Sequence, residues 1–285
     1  MKLKLSETGQ KLMAVTTSNN NELTNLELSI QISLSGHSFC VLDTNTKTIV
    51  TIKSERFSVK KTPSELLDAI KHLFNTDTAL KQPFKTINVI HVNDWSTVVP
   101  KPLFNEDTLA DYLKFNTKIL KTDFITFDDI HPNDSVNVYV PFTNINNFIF
   151  DQFGSFTYNH FSTILIEQLL TFEKHSNTPK VYVHVSYTNF EIIVINKGKL
   201  TLYNTFEHQT KEDFIYYLLF TLEQLQLNPE TIEVLFLGEV TKDSPLFEIA
   251  YKYIRHVSFG NRMDTYAFAE KPTHNHSNFT LLKSL

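Results

Sequence analysis

The side chains best equipped for chemistry are dispersed along the chain. Asp128-Asp129-Ile130-His131 groups two carboxylates and an imidazole, the donor types of a metal site. Consecutive residues of an extended chain point to opposite faces, so these donors converge poorly; the segment reads as a polar loop. His274 and His276 could hold a transition ion only weakly, since no third ligand accompanies them. His184 stands in an apolar run, where an imidazole could act as acid or base. Strict alternation instead reads it as a solvent-facing residue of a strand. Cys40 is the only cysteine, so an internal disulfide is excluded. It lies in Phe39-Cys40-Val41-Leu42 and reads as a small buried hydrophobe. There is no Walker loop, no Gly-x-Ser-x-Gly, no His-Glu-x-x-His and no dinucleotide fingerprint. The expectation is therefore no catalytic residue, no metal and no cofactor.

Composition narrows the class further. With 285 residues, 41% hydrophobic content and 24 phenylalanines, the chain can fill one large core or two of ordinary size. Six glycines are too few for glycine-rich phosphate cradles. A net charge of −5, with lysines grouped only at Lys2/Lys4/Lys11 and Lys60/Lys61, argues against a nucleic-acid partner. No run reaches the ~18–20 apolar residues of a membrane span. The N-terminus lacks the apolar core of a signal peptide. A soluble, cytoplasmic protein is expected.

The elements that must position any site are legible from periodicity. Residues 1–24 read as a polar leader. Leu26, Leu28, Ile30, Ile32 and Leu34 alternate with period two, and residues 38–42 and 49–57 complete a three-stranded meander. Thr62-Pro63-Ser64-Glu65 opens a helix: threonine as N-cap, proline at the first position, glutamate closing a capping box. Residues 87–92 form a strand. Asn105 caps a helix to about Asn116, residues 124–127 and 136–140 read as strands, and 144–153 and 160–173 as helices. The phenylalanine-rich stretch from Phe142 to Phe161 packs mostly as helices, with part of it expected to form an exposed apolar surface. His175 to Pro179 is a polar break. The pattern then restarts: strands at 181–186, 190–195 and 199–206, a turn at Asn196-Lys197-Gly198, a helix over 211–225, a strand at 232–237 and a helix from Ser244-Pro245.

The two halves correspond. Ile30 to Leu42 and Val181 to Ile193 are both strand, polar turn, strand, with Ser35 matching Ser186 and Phe39 matching Phe190. Thr86 to Val92 likewise matches Thr231 to Leu237. Three strands, helix, strand, helix, strand, given twice, imply an α/β protein of two duplicated lobes, 25–175 and 176–285.

This order, with the Val98-Val99-Pro100-Lys101-Pro102-Leu103-Phe104 segment, resembles the actin-like ATPase fold, which pairs two ribonuclease-H-like lobes around a nucleotide cleft. It is similar to an uncharacterised bacterial family assigned to that fold, related in architecture to pilus-assembly protein M and the type II secretion actin-like component. The resemblance implies an Asp-x-Gly in each lobe's first hairpin, where glycine frees backbone amides to close on phosphate and the carboxylate serves magnesium. The matching positions here are Ser33 and Ser35, with Gly36 one place later, and His184 and Ser186. A Gly-Gly that would meet adenosine is Gly238-Glu239, which brings a negative charge instead. The resemblance thus implies a degenerate pseudo-ATPase: not an enzyme, a binding or scaffold protein for a protein or peptide partner, open to homo-oligomerisation. One alternative is a nucleotide-binding enzyme in which Ser33, Ser35, Ser186 and Asn189 supply hydroxyl and amide contacts; another is a small-molecule sensor using the same cleft.

Overall fold

A computed structural model describes residues 24–115 and 117–285. The expected leader lies outside the described residues except for Thr24. The chain runs β1 (Leu26–Ser33), β2 (Gly36–Asp43), β3 (Thr48–Arg56), α1 (Pro63–Thr76), β4 (Thr86–Val92), β5 (Ser96–Pro100), α2 (Leu109–Leu113), β6 (Thr126–Ile130), β7 (Ser135–Tyr139), α3 (Thr143–Phe153), β8 (Thr157–His160) and α4 (Phe161–Phe172). It continues through β9 (Lys180–Val185), β10 (Asn189–Asn196), β11 (Lys199–Glu207), α5 (Lys211–Gln224), β12 (Glu233–Gly238), α6 (Pro245–Tyr253), β13 (His256–Phe259), β14 (Ala267–Phe268) and α7 (Phe279–Lys283).

Two larger sheets share one plan. Their orders are β14-β3-β2-β1-β4-β8 and β11-β10-β9-β12-β13. In each, three antiparallel strands form a meander, and the first of them pairs in parallel with the strand that follows the helix. A further parallel strand completes each sheet, β8 beside β4 and β13 beside β12. The duplication read from the sequence is therefore present in strand order and direction. A third sheet, β5-β7-β6, is inserted between β4 and α3.

Contacts divide the chain into two compact units. One holds the residues up to Ile164 with Thr265–Lys271 and Thr280–Leu285; the other holds Leu165–Asp264 and Pro272–Phe279. The tail joins the first unit for local reasons. β14 extends its sheet through Ala267 N donating to Lys47 O and Ala269 N to Ile49 O, at 2.9 and 3.0 Å. The C-terminal helix supplies Thr280, which donates to Gln31 Oε1 at 2.6 Å, and Ser284, whose hydroxyl meets that of Ser29 at 2.6 Å.

In the first unit Leu28, Ile30 and Ile32 point together into a core with Phe39, Leu66, Ile70 and Phe74. Each such side chain contributes about 1.5–3 kcal/mol on burial. The expected capping box of α1 is present: Glu65 N donates to Thr62 Oγ1 at 3.3 Å and Thr62 N to Glu65 Oε2 at 2.8 Å. In the second unit Val181, Val183 and Val185 face Phe190, Phe214, Leu218 and Phe236. Thr210 and Asp213 form a second capping box, at the start of α5.

Three sequence expectations are corrected. The helix expected from Asn105 to Asn116 is a 3-10 turn (Glu106–Thr108) followed by the short α2; Asn105 does cap that turn, accepting from Asp107 N. The stretch expected to leave an exposed aromatic surface is core: Phe142, Phe156, Tyr158 and Phe161 are buried, and Phe148, Phe150 and Phe153 pack half-buried against them or their neighbours. The Asp128 segment is not a loop but the strand β6.

Candidate functional site

The first candidate turn joins β1 to β2. Ser33 Oγ donates to Gly36 O at 2.9 Å and accepts from Ser35 N at 3.2 Å, while Ser35 Oγ lies 3.1 Å away. The hydroxyl closes its own turn. The carbonyls of Ser35 and Leu34 accept from Phe57 N and Lys61 N, at 2.9 and 2.8 Å, so residues 57–61 are strapped across it. Gly36 serves this approach: a Cβ there would stand 2.4 Å from Glu55 O. Its missing side chain admits the end of β3.

The second candidate turn joins β9 to β10 and is built differently. The sequence reading of His184 as solvent-facing is overturned: it is 7% exposed, and its Nδ1 is 2.7 Å from Oε2 of Glu191, which is fully buried. The pairing follows from register, since His184 and Glu191 are cross-strand partners and share one face. Asn189 Nδ2 donates to the other carboxylate oxygen at 2.7 Å. The buried carboxylate of Glu191 thus has both oxygens occupied within the protein. Ser186 N donates to Asn189 O at 2.9 Å.

Beside it, Gly238 ends β12 in register with Val185. Its φ of +83° and a Cβ position 2.2 Å from Val185 O make glycine obligatory here. Gly238 N donates to His276 O at 2.9 Å and Glu239 N to Val185 O at 2.8 Å, while the Glu239 side chain is exposed. His276 Nε2 lies 2.7 Å from Val240 O, and its ring stacks on Phe259 and His274 with centroids 4.3 and 5.1 Å apart. Burial holds this imidazole below its ordinary range. His274 and His276 are therefore a stacked pair. Among the described residues no group of three or more His, Cys, Asp or Glu side chains could hold a metal ion.

Of the eight sequence candidates, the first unit places Ser33, Ser35 and Gly36 in one turn, and the second brings His184, Ser186, Asn189, Gly238 and Glu239 around the end of β9. Sequence reasoning missed Glu191 and the environment of Asp128. The Asp128 carboxylate is buried and accepts from Tyr139 Oη at 3.0 Å, His160 N at 2.8 Å and Thr163 Oγ1 at 2.8 Å. Burial pushes it up to about 6 despite these donors. Burial also lowers His91 to about 4 and His160 to about 3, so neither imidazole offers it a countercharge at neutral pH. Asp129, on the opposite face, pairs with Lys101 at 2.5 Å. Cys40 is fully buried, its Sγ 3.9 Å from Leu281 O, and burial raises the thiol to about 12.

Comparison with known proteins agrees with the topology. The family model described as "Protein of unknown function (DUF3822)" matches residues 16–257. No curated protein matches the sequence. A solved protein of Bacteroides thetaiotaomicron VPI-5482, described as having an actin-like ATPase fold and unknown function, is similar over 86% of this chain and 94% of its own, with a TM-score of 0.71 and 23% identity. A chain of the PilM–PilN type IV pilus biogenesis complex is similar over 91% of this chain and 97% of its own, with a TM-score of 0.57 and 12% identity. The fold is that of the actin-like ATPases, with two ribonuclease-H-like sheets. No helix among the described residues is long and apolar enough to cross a membrane.

Proposed function

The chain belongs to the DUF3822 family, and from that premise we propose that it is a non-catalytic binding protein, an actin-like fold without ATPase chemistry that holds a protein or peptide partner. One observation carries this reading. The two positions that match the magnesium-serving aspartates, Ser33 and His184, carry no carboxylate, and the buried acid beside the second turn is already committed. Ser33 spends its hydroxyl on Gly36 O, and Glu191 is buried against His184 and Asn189. Magnesium needs oxygen ligands in near-octahedral array and is held by one or two carboxylates with substrate phosphates. Removing Glu191 from its partners would leave the buried His184 short of a bond, a cost of about 1–3 kcal/mol, and would free the half-buried Asn189 amide. An amide of the first unit's turn is likewise committed, since Ser35 N donates to Ser33 Oγ at 3.2 Å.

Binding of a partner is supported by fold likeness to a component of the PilM–PilN complex, a protein that is itself described in a complex. The test is turnover. The full chain with ATP and magnesium should release phosphate no faster than a heat-denatured sample, and Asn189→Ala should change nothing. Phosphate release above that background, lost in Asn189→Ala, would reject this reading in favour of a nucleotide-using enzyme.

A further inference from the structure

The strap that closes the first turn also forms one wall of a groove. The space between residues 55–61 and α1 has a volume of about 690 Å³, within the range of small-ligand clefts. Its strap wall carries Arg56, Lys60 and Lys61, with Glu55 at its far end beside His37 at 3.7 Å; its helix wall carries Glu65, Asp68 and His72. Glu65 is committed to the capping box, and Lys61 lies over the Phe57 ring with Nζ 4.8 Å from its centroid. Lys60 and Asp68 are exposed on opposite walls, and neither enters an ion pair or side-chain hydrogen bond among the described residues. The apolar part of the lining is Phe57, Ala69 and Val59, the last 74% exposed.

We propose that this groove binds a short extended peptide in which an acidic and a basic residue stand next to each other between apolar ones. This inference deepens the binding-protein reading and rests on it. Successive side chains of an extended chain point to opposite sides. An acidic residue directed at Lys60 therefore places its basic neighbour toward Asp68, and of the flanking apolar side chains one falls on the strap side, over Val59, and the other on the helix side, toward Ala69. A uniformly charged segment meets repulsion from one wall wherever it lies. The groove is also preformed. Phe57 N and Lys61 N tie both ends of the strap to the turn carbonyls, and the Thr62–Glu65 box fixes the start of α1. Asn144 Nδ2 adds a bond to Pro63 O at 2.7 Å. Little ordering is left for binding to impose.

The experiment is fluorescence anisotropy on the full chain. The probe is an end-blocked, fluorescein-labelled peptide of leucine, aspartate, lysine and leucine in that order. Controls replace its two charges with two aspartates or two lysines. The proposal expects saturable binding of the mixed probe, weakened by salt, and weaker binding of both controls. Lys60→Glu and Asp68→Lys, both at exposed positions, should each reduce affinity about tenfold. The double variant exchanges the walls and should restore binding, because the probe can lie the other way round. The groove is rejected if the mixed probe does not saturate, if the uniformly charged probes bind equally well, or if both single variants bind unchanged. Loss of the groove leaves the turnover result untouched, so failure of this inference is separable from failure of the non-catalytic reading.

Discussion

Replacing Asp128 by asparagine removes a buried charge and should change how stability depends on pH. Burial raises the folded carboxyl from 3.8 to about 6. An acid raised in the folded state binds its proton more tightly there than in the unfolded chain. Its stabilising contribution is therefore full below the unfolded value and is lost as pH rises through the folded one. The shift of roughly two units corresponds to about 3 kcal/mol at about 1.36 kcal/mol per unit, of which about 2 kcal/mol falls between pH ~4.5 and ~7.5 by the linkage relation. His91 and His160 work against it. Each is lowered by burial, so each contributes stability that is present above the ordinary histidine range and lost as pH falls. The wild-type profile alone mixes these effects. The difference between wild type and Asp128→Asn isolates the carboxyl, because both proteins carry the same histidines. Asparagine sets an amide donor against one of three donors, a cost that does not vary with pH. Urea unfolding at several pH values measures the difference. Relative to the variant, wild type should be about 2 kcal/mol more stable at pH ~4.5 than at pH ~7.5. A difference constant across that range would refute the reasoning, because it would mean that Asp128 ionises as an exposed carboxyl does.

Gly238→Ala should destabilise the second unit by about 3 kcal/mol or more, since the residue holds a positive φ and its Cβ would overlap Val185 O; chemical denaturation reads this directly, and a loss below about 1 kcal/mol would show that the β9–β12 approach is loose. Cys40 should not react with a thiol reagent in native buffer even at mildly alkaline pH, because its thiol is buried and raised to about 12. Rapid modification without denaturant would contradict its placement beneath the C-terminal helix.

The parts legible in the sequence were those governed by local rules. The alternation of Leu28, Ile30 and Ile32 marked β1, and Thr62-Pro63-Ser64-Glu65 marked the start of α1, because period and capping act over a few residues. The repeated order of elements carried the fold. What stayed hidden depends on partners distant in sequence or on register. Two acids in Asp128-Asp129 read as a loop because the donors that surround Asp128 come from Tyr139, from the end of β8 and from the start of α4. His184 read as solvent-facing because alternation says which side a residue takes, not whether that side is covered. A signal for its pairing was present: His184 and Glu191 flank a tight turn at positions that fall on one face. The return of the chain's end to the first sheet, through β14 and Ser284, has no counterpart in the repeat.

Calorimetric titration of the full chain with Mg-ATP decides whether these turns take a nucleotide. Without an open carboxylate at Ser33 or His184, little offsets the charge of the phosphates. No saturable heat is expected at physiological nucleotide concentration. A saturable isotherm with a dissociation constant in the low micromolar range would contradict this.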